Sequence, residues 1–425
     1  MNTLNQPFHN RTGLHLTMQH VVLSYLFLIL PLFDMMSGFM IGQGYLDAGA
    51  FASPSQIGRF IGVVLLFVST ARQRYSSYIV LGFVFLGLFE LLGYFRHNNM
   101  LGIVVGYTNI IRFAYMYLVF LAFTYYFAKD RQSVIRFLKY NVVFVCLSVI
   151  FASFTGLANS TYGWGSGTKG FFASGNGLGI YIGVATLILV AMKRYRVYTD
   201  ISLLVFALSS YTLVLLGTKT SFLMFLLVMI GGFWSGRFKL VVIPAVLLGA
   251  WEFYERIAEG FVRRFDIIIL RYKNSSSLVD YLLSGRNGYV ERAWAEFLSQ
   301  SPDVLRWLFG GGAFLSYQSP QLVRSFDTLE SDLADVFFMY GLLGLTIYLT
   351  GLAISVRAFW RSPWMLLPVA LLWGHSTFAG HVLFNGLGAT LLVLFLAMKV
   401  SLDLREEAGK IPNVAMGALY QGQRV

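Results

Sequence analysis

The segment "DTLESDLADVFFMYGLLGLTIYL", Asp327 to Leu349, sets four carboxylates within nine residues directly against an apolar run long enough to begin crossing a bilayer. Similar runs of about 17 to 22 residues recur from Val21 to Val400, each bounded by short polar punctuation, and a helix needs roughly 20 such residues to cross the hydrocarbon. Transmembrane strands would show alternating segments of about ten residues instead. Over the 425 residues, 57% are hydrophobic, 12% are charged and the mean hydropathy is +0.66, where a soluble domain carries roughly 25% charged residues. The expectation is an all-α integral membrane protein.

The apolar runs define about twelve transmembrane helices, at 21–40, 57–71, 77–95, 108–127, 140–156, 176–192, 200–216, 220–235, 239–254, 333–350, 364–379 and 383–400. The first follows a polar tail without a small-residue cleavage site, so it reads as a retained span and not a signal peptide. Only Gly217, Thr218 and Lys219 separate the seventh and eighth, which implies a tight hairpin. The single cysteine, Cys146, sits inside an apolar run, which excludes an intramolecular disulfide and any cysteine-based metal site.

Basic residues in short loops favour the cytoplasm. With the N-terminus inside, the inner segments hold 18 of the 32 basic residues and five of the 20 acids, a net of +13, while the outer side holds 14 basic residues and 15 acids, a net of −1. The overall charge of +12 is thus a matter of topology, not of nucleic-acid binding. Both termini are expected in the cytoplasm. The chain divides into helices 1–9 over 1–254, one long, partly helical extracytoplasmic loop over 255–331, and helices 10–12 with a C-terminal tail over 332–425. The loop reads as two or three amphipathic helices with breaks at Asn274–Ser277, Ser284–Gly285 and Gly310–Gly312.

That loop carries Arg256, Arg263, Arg264, Arg271, Lys273, Arg286, Arg292, Arg306 and Arg324 on the side where cations should be scarce. They answer an anion, since guanidinium forks suit phosphate oxygens, or they pair with loop acids on solvated helix faces. Arg286 follows a Ser-Gly turn and opens a helix, so its side chain can point back into the bundle. Lys219, the only charge in "LLGTKTSFLMFLL", and Arg112, just inside the fourth span, are costly in an apolar setting and therefore functional candidates, with snorkelling to the interface as the alternative. For Arg59 and Arg96, nearer to span ends, snorkelling is the expectation.

Among the acids, Asp332 and Asp335 can serve as the start of a helix, whose positive end favours carboxylates by about 0.3–1 kcal/mol each. Glu330 and Asp327 precede that start and need another explanation; facing a basic loop, one carboxylate of the group can act as a general base. The string "YGWGSGTKGFFASGNGLGIYIG", Tyr162 to Gly183, offers aromatic faces and amides to sugars, with Asn176 as the contact candidate, or is plain loop and helix-start chemistry. His375, His381 and Asn385 read as packed or interfacial residues. No Walker-type loop, dinucleotide fingerprint or zinc spacing occurs, so no cofactor or metal is expected.

Three features in order resemble the bacterial superfamily of O-antigen polymerases and O-antigen ligases: "GTKTSF" at a span tip, "SGRNGYVERAWAEFL...WLFGGG" in the long loop, and "ESDLADVFFMYGLLGL" opening the next span. The resemblance runs over most of the chain, from the first span with its "FDMMSG" end. It implies a GT-C-like glycosyltransferase at the outer face of the bacterial inner membrane, acting on glycans carried by undecaprenyl pyrophosphate, by inverting transfer without nucleotide sugar or obligatory metal. A chain-length-regulating membrane protein is a further implied partner. The family's pyrophosphate-binding arginines map onto Arg286 and, with a change from fork to point charge, onto Lys219. Ligases usually place a histidine and then an asparagine eleven and ten residues ahead of the first glycine of the following Gly-x-x-Gly. Counting back from Gly341, this chain has Glu330 and Ser331, and its acidic pair Glu330 and Asp332 is the polymerase pattern.

The resulting expectation is a polysaccharide polymerase with Glu330, or else Asp332, as base, Arg286 and Lys219 on the diphosphate, and Arg112, Asn176, Arg263, Arg264, Arg271, Lys273, Arg292 and Arg324 as further substrate contacts. A ligase handing finished glycan to a lipid or protein acceptor is the alternative on the same fold. A lipid-linked oligosaccharide flippase is the alternative of another class, disfavoured because charge clusters at one face and no internal repeat is evident.

Overall fold

The computed structural model describes residues 18–46, 53–71, 76–97, 100–162, 166–195, 197, 203–234, 272–275, 277, 281, 286–313, 329–380 and 382–410. They form a helical bundle: α1 Met18–Gly42, α2 Pro54–Thr70, α3 Ser76–His97, α4 Met100–Thr155, α5 Gly175–Arg194, α6 Leu203–Leu216, α7 Lys219–Trp234, α8 Arg286–Ser299, α9 Val304–Phe309, α10 Asp332–Phe359, α11 Pro363–Ala379 and α12 Gly386–Lys410. Within α1, α4, α5 and α10 lie the four stretches that are long and apolar enough to cross a membrane, and α2, α3, α6, α7 and α12 contain shorter apolar stretches. Every expected span except the ninth, 239–254, overlaps one of these helices; the ninth lies outside the described residues.

The core is built around α5, whose residues from Leu178 to Met192 are all buried. Gly175, Gly179 and Gly183 recur every fourth position, and a β-carbon at Gly183 would sit 2.5 Å from Met224 Cβ while one at Gly179 would sit 3.0 Å from Ser221 Cβ. Small residues at that spacing let two helix backbones approach closely, the packing mode that works without a hydrophobic drive between helices. The α6–α7 hairpin is as tight as its sequence requires. Thr218 accepts from Ser221 N at 2.9 Å and its own N donates to Ser221 Oγ at 3.0 Å, a reciprocal cap at the start of α7.

Two features depart from the sequence reading. The fourth and fifth expected spans are not separated by a loop: α4 runs from Met100 to Thr155 with a single kink at Asp130 (φ −149°, ψ 80°). The kink is itself a helix start, because Asp130 Oδ1 accepts from Ser133 N at 3.1 Å and Oδ2 from Ser133 Oγ at 2.5 Å, so no intervening turn is needed. The glycine-rich string before α5 forms a small antiparallel hairpin, β1 Ser160–Tyr162 with β2 Ser166–Thr168. Thr161 Oγ1 donates to Leu216 O at 2.8 Å and ties it to the end of α6.

Two of the amphipathic helices expected in the long loop are present among the described residues, α8 and α9, ending at the glycine break. They pack through Ala293, Phe297 and Trp307 on Phe337 and Phe338 at the start of α10. A second break lies opposite, because α10 is interrupted at Gly341 (φ +63°). The interruption frees the carbonyls of Phe338 and Met339, which accept from Gly311 N at 3.0 Å and Gly312 N at 2.9 Å. Any β-carbon at Gly341 would lie 2.5 Å from the Leu308 carbonyl carbon, so the loop can rest on the broken helix only through glycine.

Candidate functional site

One end of the bundle holds a cavity of about 220 Å³ lined by charged, polar and apolar side chains. Its walls are the last turns of α1 (Asp34, Ser37, Ile41), the start of α2 (Ser53, Ser55, Gln56, Arg59), Arg112 on α4, the start of α5 (Phe172, Ala173, Ser174, Leu178), the start of α10 (Glu330, Asp332, Asp335) and the start of α12 (Phe384, Asn385, Leu387). These are the helix ends that the charge asymmetry assigns to one side.

The acidic cluster sorts itself by hydrogen bonding. The cap of α10 is Ser331, which accepts from Ala334 N at 3.4 Å and donates to Thr377 O at 2.7 Å. Asp335, expected as part of the helix start, does serve there, accepting from Leu329 N at 2.8 Å. Asp332 does not cap. It is 1% exposed, and its Oδ2 accepts from Ser376 Oγ at 2.7 Å, Leu383 N at 2.9 Å and Val382 N at 3.1 Å. That makes Asp332 the anchor of the turn between α11 and α12, a structural carboxylate whose Oδ2 is enclosed by donors; the expectation that it could be the base is disfavoured by this enclosure.

Glu330 is different. Its side chain is 40% exposed, and Oε2 lies 2.8 Å from Arg286 Nη2, with Arg286 itself buried at the first position of α8. The backbone at Glu330 takes φ +55°, the left-handed region that non-glycine residues avoid. Such strain persists only where surrounding contacts dictate the conformation, and here the flanking Leu329 N and Ser331 Oγ are both bonded to other elements. The expectation that Arg286 points back into the bundle holds, but its contact there is the carboxylate.

The remaining expected site residues are scattered. Arg112 lines the cavity. Lys219 does not: Nζ donates to Tyr281 O at 2.6 Å and lies 4.1 Å over the Tyr281 ring, so the ammonium holds the long loop against the α6–α7 tip. Asn176 sits half-buried in the first turn of α5, outside the cavity lining, and Ser174 caps that helix by accepting from Gly177 N at 3.2 Å. Lys273 and Arg292 are exposed, the latter donating within its own helix to Gly288 O at 3.1 Å and lying 5.0 Å from the Tyr289 ring, which is the solvated-face alternative. Arg306 stacks 5.3 Å from the Phe297 ring. Arg263, Arg264, Arg271, Arg324, Asp327, His381 and the side chain of Arg96 lie outside the described residues.

Asp34, which the sequence reading passed over, and Arg59, which it expected to snorkel, both line the cavity. Arg59 does not snorkel: it is 7% exposed, with Nη2 3.7 Å from Asp34 Oδ1. Asp34, in the "FDMMSG" end of the first span, accepts from Ser55 Oγ at 2.5 Å. A carboxylate inside an apolar run was the available signal, since such a group in a membrane helix is functional by default. Behind the cavity, buried Glu90 accepts from Tyr340 OH at 2.7 Å and from Ala313 N at 3.0 Å, and Tyr340 accepts from Asn109 Nδ2 at 2.6 Å. This network ties α3, α4 and α10 to the end of the glycine loop.

Comparison of the chain with protein-family models, with curated proteins and with solved structures finds no match.

Proposed function

We propose that this chain is a membrane glycosyltransferase of the O-antigen polymerase type, with about twelve crossings, both termini cytoplasmic and its cavity at the outer face of a bacterial inner membrane. The observation that carries the reading is the Arg286–Glu330 pair at 2.8 Å beside that cavity. Of the three described acids near the start of α10, Glu330 alone combines cavity lining with an exposed carboxylate. It is also the residue that the motif resemblance places where a ligase carries histidine.

In this reading a hydroxyl of an incoming lipid-linked repeat unit attacks the anomeric carbon of the growing glycan. The bond from that carbon to the diphosphate oxygen breaks, the hydroxyl proton passes to Glu330, and the electron pair leaves with the undecaprenyl diphosphate. A guanidinium has five donors in a planar fork, so Arg286 can hold Glu330 and still offer other N–H groups to the departing charge. Lys219, engaged by Tyr281, keeps the loop in place rather than touching the diphosphate. No nucleotide, metal or cofactor enters the step, and a chain-length-regulating membrane protein is a natural partner for such an enzyme.

Replacing Glu330 by Gln keeps the volume and removes the base. Surface glycan from a strain carrying Glu330→Gln should run on a gel as a single-repeat band instead of a ladder, with the protein still present in the membrane. A persisting ladder would overturn the base assignment, and loss of all attached glycan in the deletion strain would indicate a ligase.

A further inference from the structure

The short helix α9 presents an apolar side to its surroundings. Of its six residues, Val304 is 72% and Leu305 63% exposed, and Leu308 and Phe309 are exposed as well, as is Leu298 in the last turn of α8. The polar groups of this stretch are turned to one another instead. Arg306 donates to Gln300 Oε1 and lies over the Phe297 ring, and Asp303 caps α9 by accepting from Arg306 N at 2.7 Å. Contiguous exposed apolar residues of this kind on a loop mark an interaction surface.

The depth of this surface follows from α10. That helix has 28 residues, about 42 Å at 1.5 Å each, whereas the hydrocarbon is about 30 Å thick and takes about 20 residues. Counting about 20 residues back from Arg357, the basic residue of its last turn and suited to an interface, reaches Phe338. The opening turns of α10 therefore stand outside the hydrocarbon, and Gly341 lies just within its edge. There α9 meets α10 backbone to backbone: a β-carbon at Gly341 would lie 2.5 Å from the Leu308 carbonyl carbon, and one at Gly310 would run into Met339 and Tyr340. The next residues of α10, Leu342 and Leu343, are exposed apolar groups of a spanning helix. The exposed side of α9 thus stands level with a lipid-facing surface. Trp294 and Trp307 pack on Phe337 at the same height, where tryptophans gather in membrane proteins.

We infer that α9 is seated in the bilayer interface, with Val304, Leu305 and Leu308 among the acyl chains of the leaflet beside the start of α10, so that lipid covers this face. Amphipathic helices lie in the interface plane in this way. Charge does not supply the attraction: α8, α9 and the cap between them carry Arg286, Arg292 and Arg306 against Glu291, Glu296 and Asp303. The seat is therefore apolar and requires no anionic lipid. Because α9 packs on α8 through the Trp307 and Phe297 rings, 5.0 Å apart, the leaflet holds in place the loop helix whose first residue is Arg286. This seat depends on the bundle lying in a membrane and not on the proposed transfer.

Fluorescence quenching on the full chain in phosphatidylcholine nanodiscs tests this. Leu305→Cys and Leu308→Cys are labelled with a nitrobenzoxadiazole maleimide, with Leu343→Cys on α10 as the lipid-facing reference and Glu296→Cys on α8 as the water-facing one. The native Cys146 is buried, and the unaltered chain gives the blank. Lipid carrying a nitroxide near the headgroup end of its acyl chain should quench Leu305→Cys and Leu308→Cys as strongly as Leu343→Cys and several-fold more than Glu296→Cys, and aqueous iodide should do the reverse. Iodide quenching of Leu305→Cys equal to that of Glu296→Cys overturns the seat in favour of an aqueous loop, and quenching by neither agent overturns it in favour of cover by protein. Adding phosphatidylglycerol should leave the pattern unchanged; lipid quenching that appears only in the anionic mixture overturns the apolar seat. Should Leu308→Cys fail to melt cooperatively, Leu305→Cys and Val304→Cys decide, because these two positions are the more exposed. A glycan ladder that survives Glu330→Gln would remove the transferase reading and leave the seat of α9 standing.

Discussion

Two arginine–carboxylate pairs border the same cavity and are built in opposite ways. Arg286 and Glu330 meet at 2.8 Å, one from the long loop and one from the turn before α10, with the carboxylate 40% exposed. Arg59 and Asp34 stand 3.7 Å apart inside the bundle, their side chains 8% and 13% exposed. The pair with an exposed carboxylate is closed and the pair buried on both sides is loose. In the first, only the carboxylate reaches solvent, so the close contact matches the buried Arg286 charge and in doing so positions Glu330. Desolvation makes the second matter, since stripping one partner from a buried pair costs about 3–5 kcal/mol. A loose pair at such a place leaves the buried guanidinium only partly matched.

The largest expected effect follows from that asymmetry. Asp34→Ala leaves the buried Arg59 without its counter-charge and should lower unfolding stability in detergent by about 3–5 kcal/mol. Glu330→Gln, at a 40% exposed position where the amide oxygen can still accept from the buried Arg286, should cost less, about 1–3 kcal/mol. Thermal melts of the two variants that coincide would mean that burial of the carboxylate does not set the cost of losing it.

Asp332 separates structure from chemistry within the acidic cluster. Asp332→Ala strips three donors, Ser376 Oγ and the amides of Val382 and Leu383, of a buried acceptor. Leaving such groups unsatisfied should cost on the order of 3 kcal/mol. Any loss of activity in this variant should track its loss of folded protein, measured by size exclusion of the solubilised chain. Full folding with no activity would return Asp332 to the list of reacting groups.

The helical class and the positions of the helices were legible because apolar length is a strong signal, and the hairpin at Thr218 was legible because three residues leave no other path. The kink at Asp130 was hidden: a run of polar residues between two spans reads as a loop unless the Asp-x-x-Ser cap is recognised as a way to restart a helix at once. Arg286 stood out because a Ser-Gly turn and a helix start predict which way its side chain points, and Glu330 because it precedes the helix start and falls where the motif resemblance counts back from Gly341. Asp34 and Arg59 did not, because their meaning comes from α1 and α2 lying side by side, a tertiary relation that neither span reveals alone. Interface position argued for snorkelling of Arg59, and the neighbouring carboxylate on α1 overrode it.

The smallest effect isolates the backbone at Glu330. Its φ of +55° is one a glycine adopts freely, and other residues lose roughly 1–2 kcal/mol there. Glu330→Gly and Glu330→Ala both remove the carboxylate and its contact to Arg286, so the difference between them reports the backbone: the strain less the chain entropy of glycine. The glycine variant gives back part of the gain through the entropy of its unfolded chain, roughly 0.5–1 kcal/mol. It should therefore be the more stable of the two by about 0.5–1 kcal/mol, read as a higher melting temperature, while neither variant makes polymer. A residue that lowers stability through its backbone and is removed without structural loss is held for what its side chain does, and a glycine variant no more stable than the alanine one would remove that argument for Glu330.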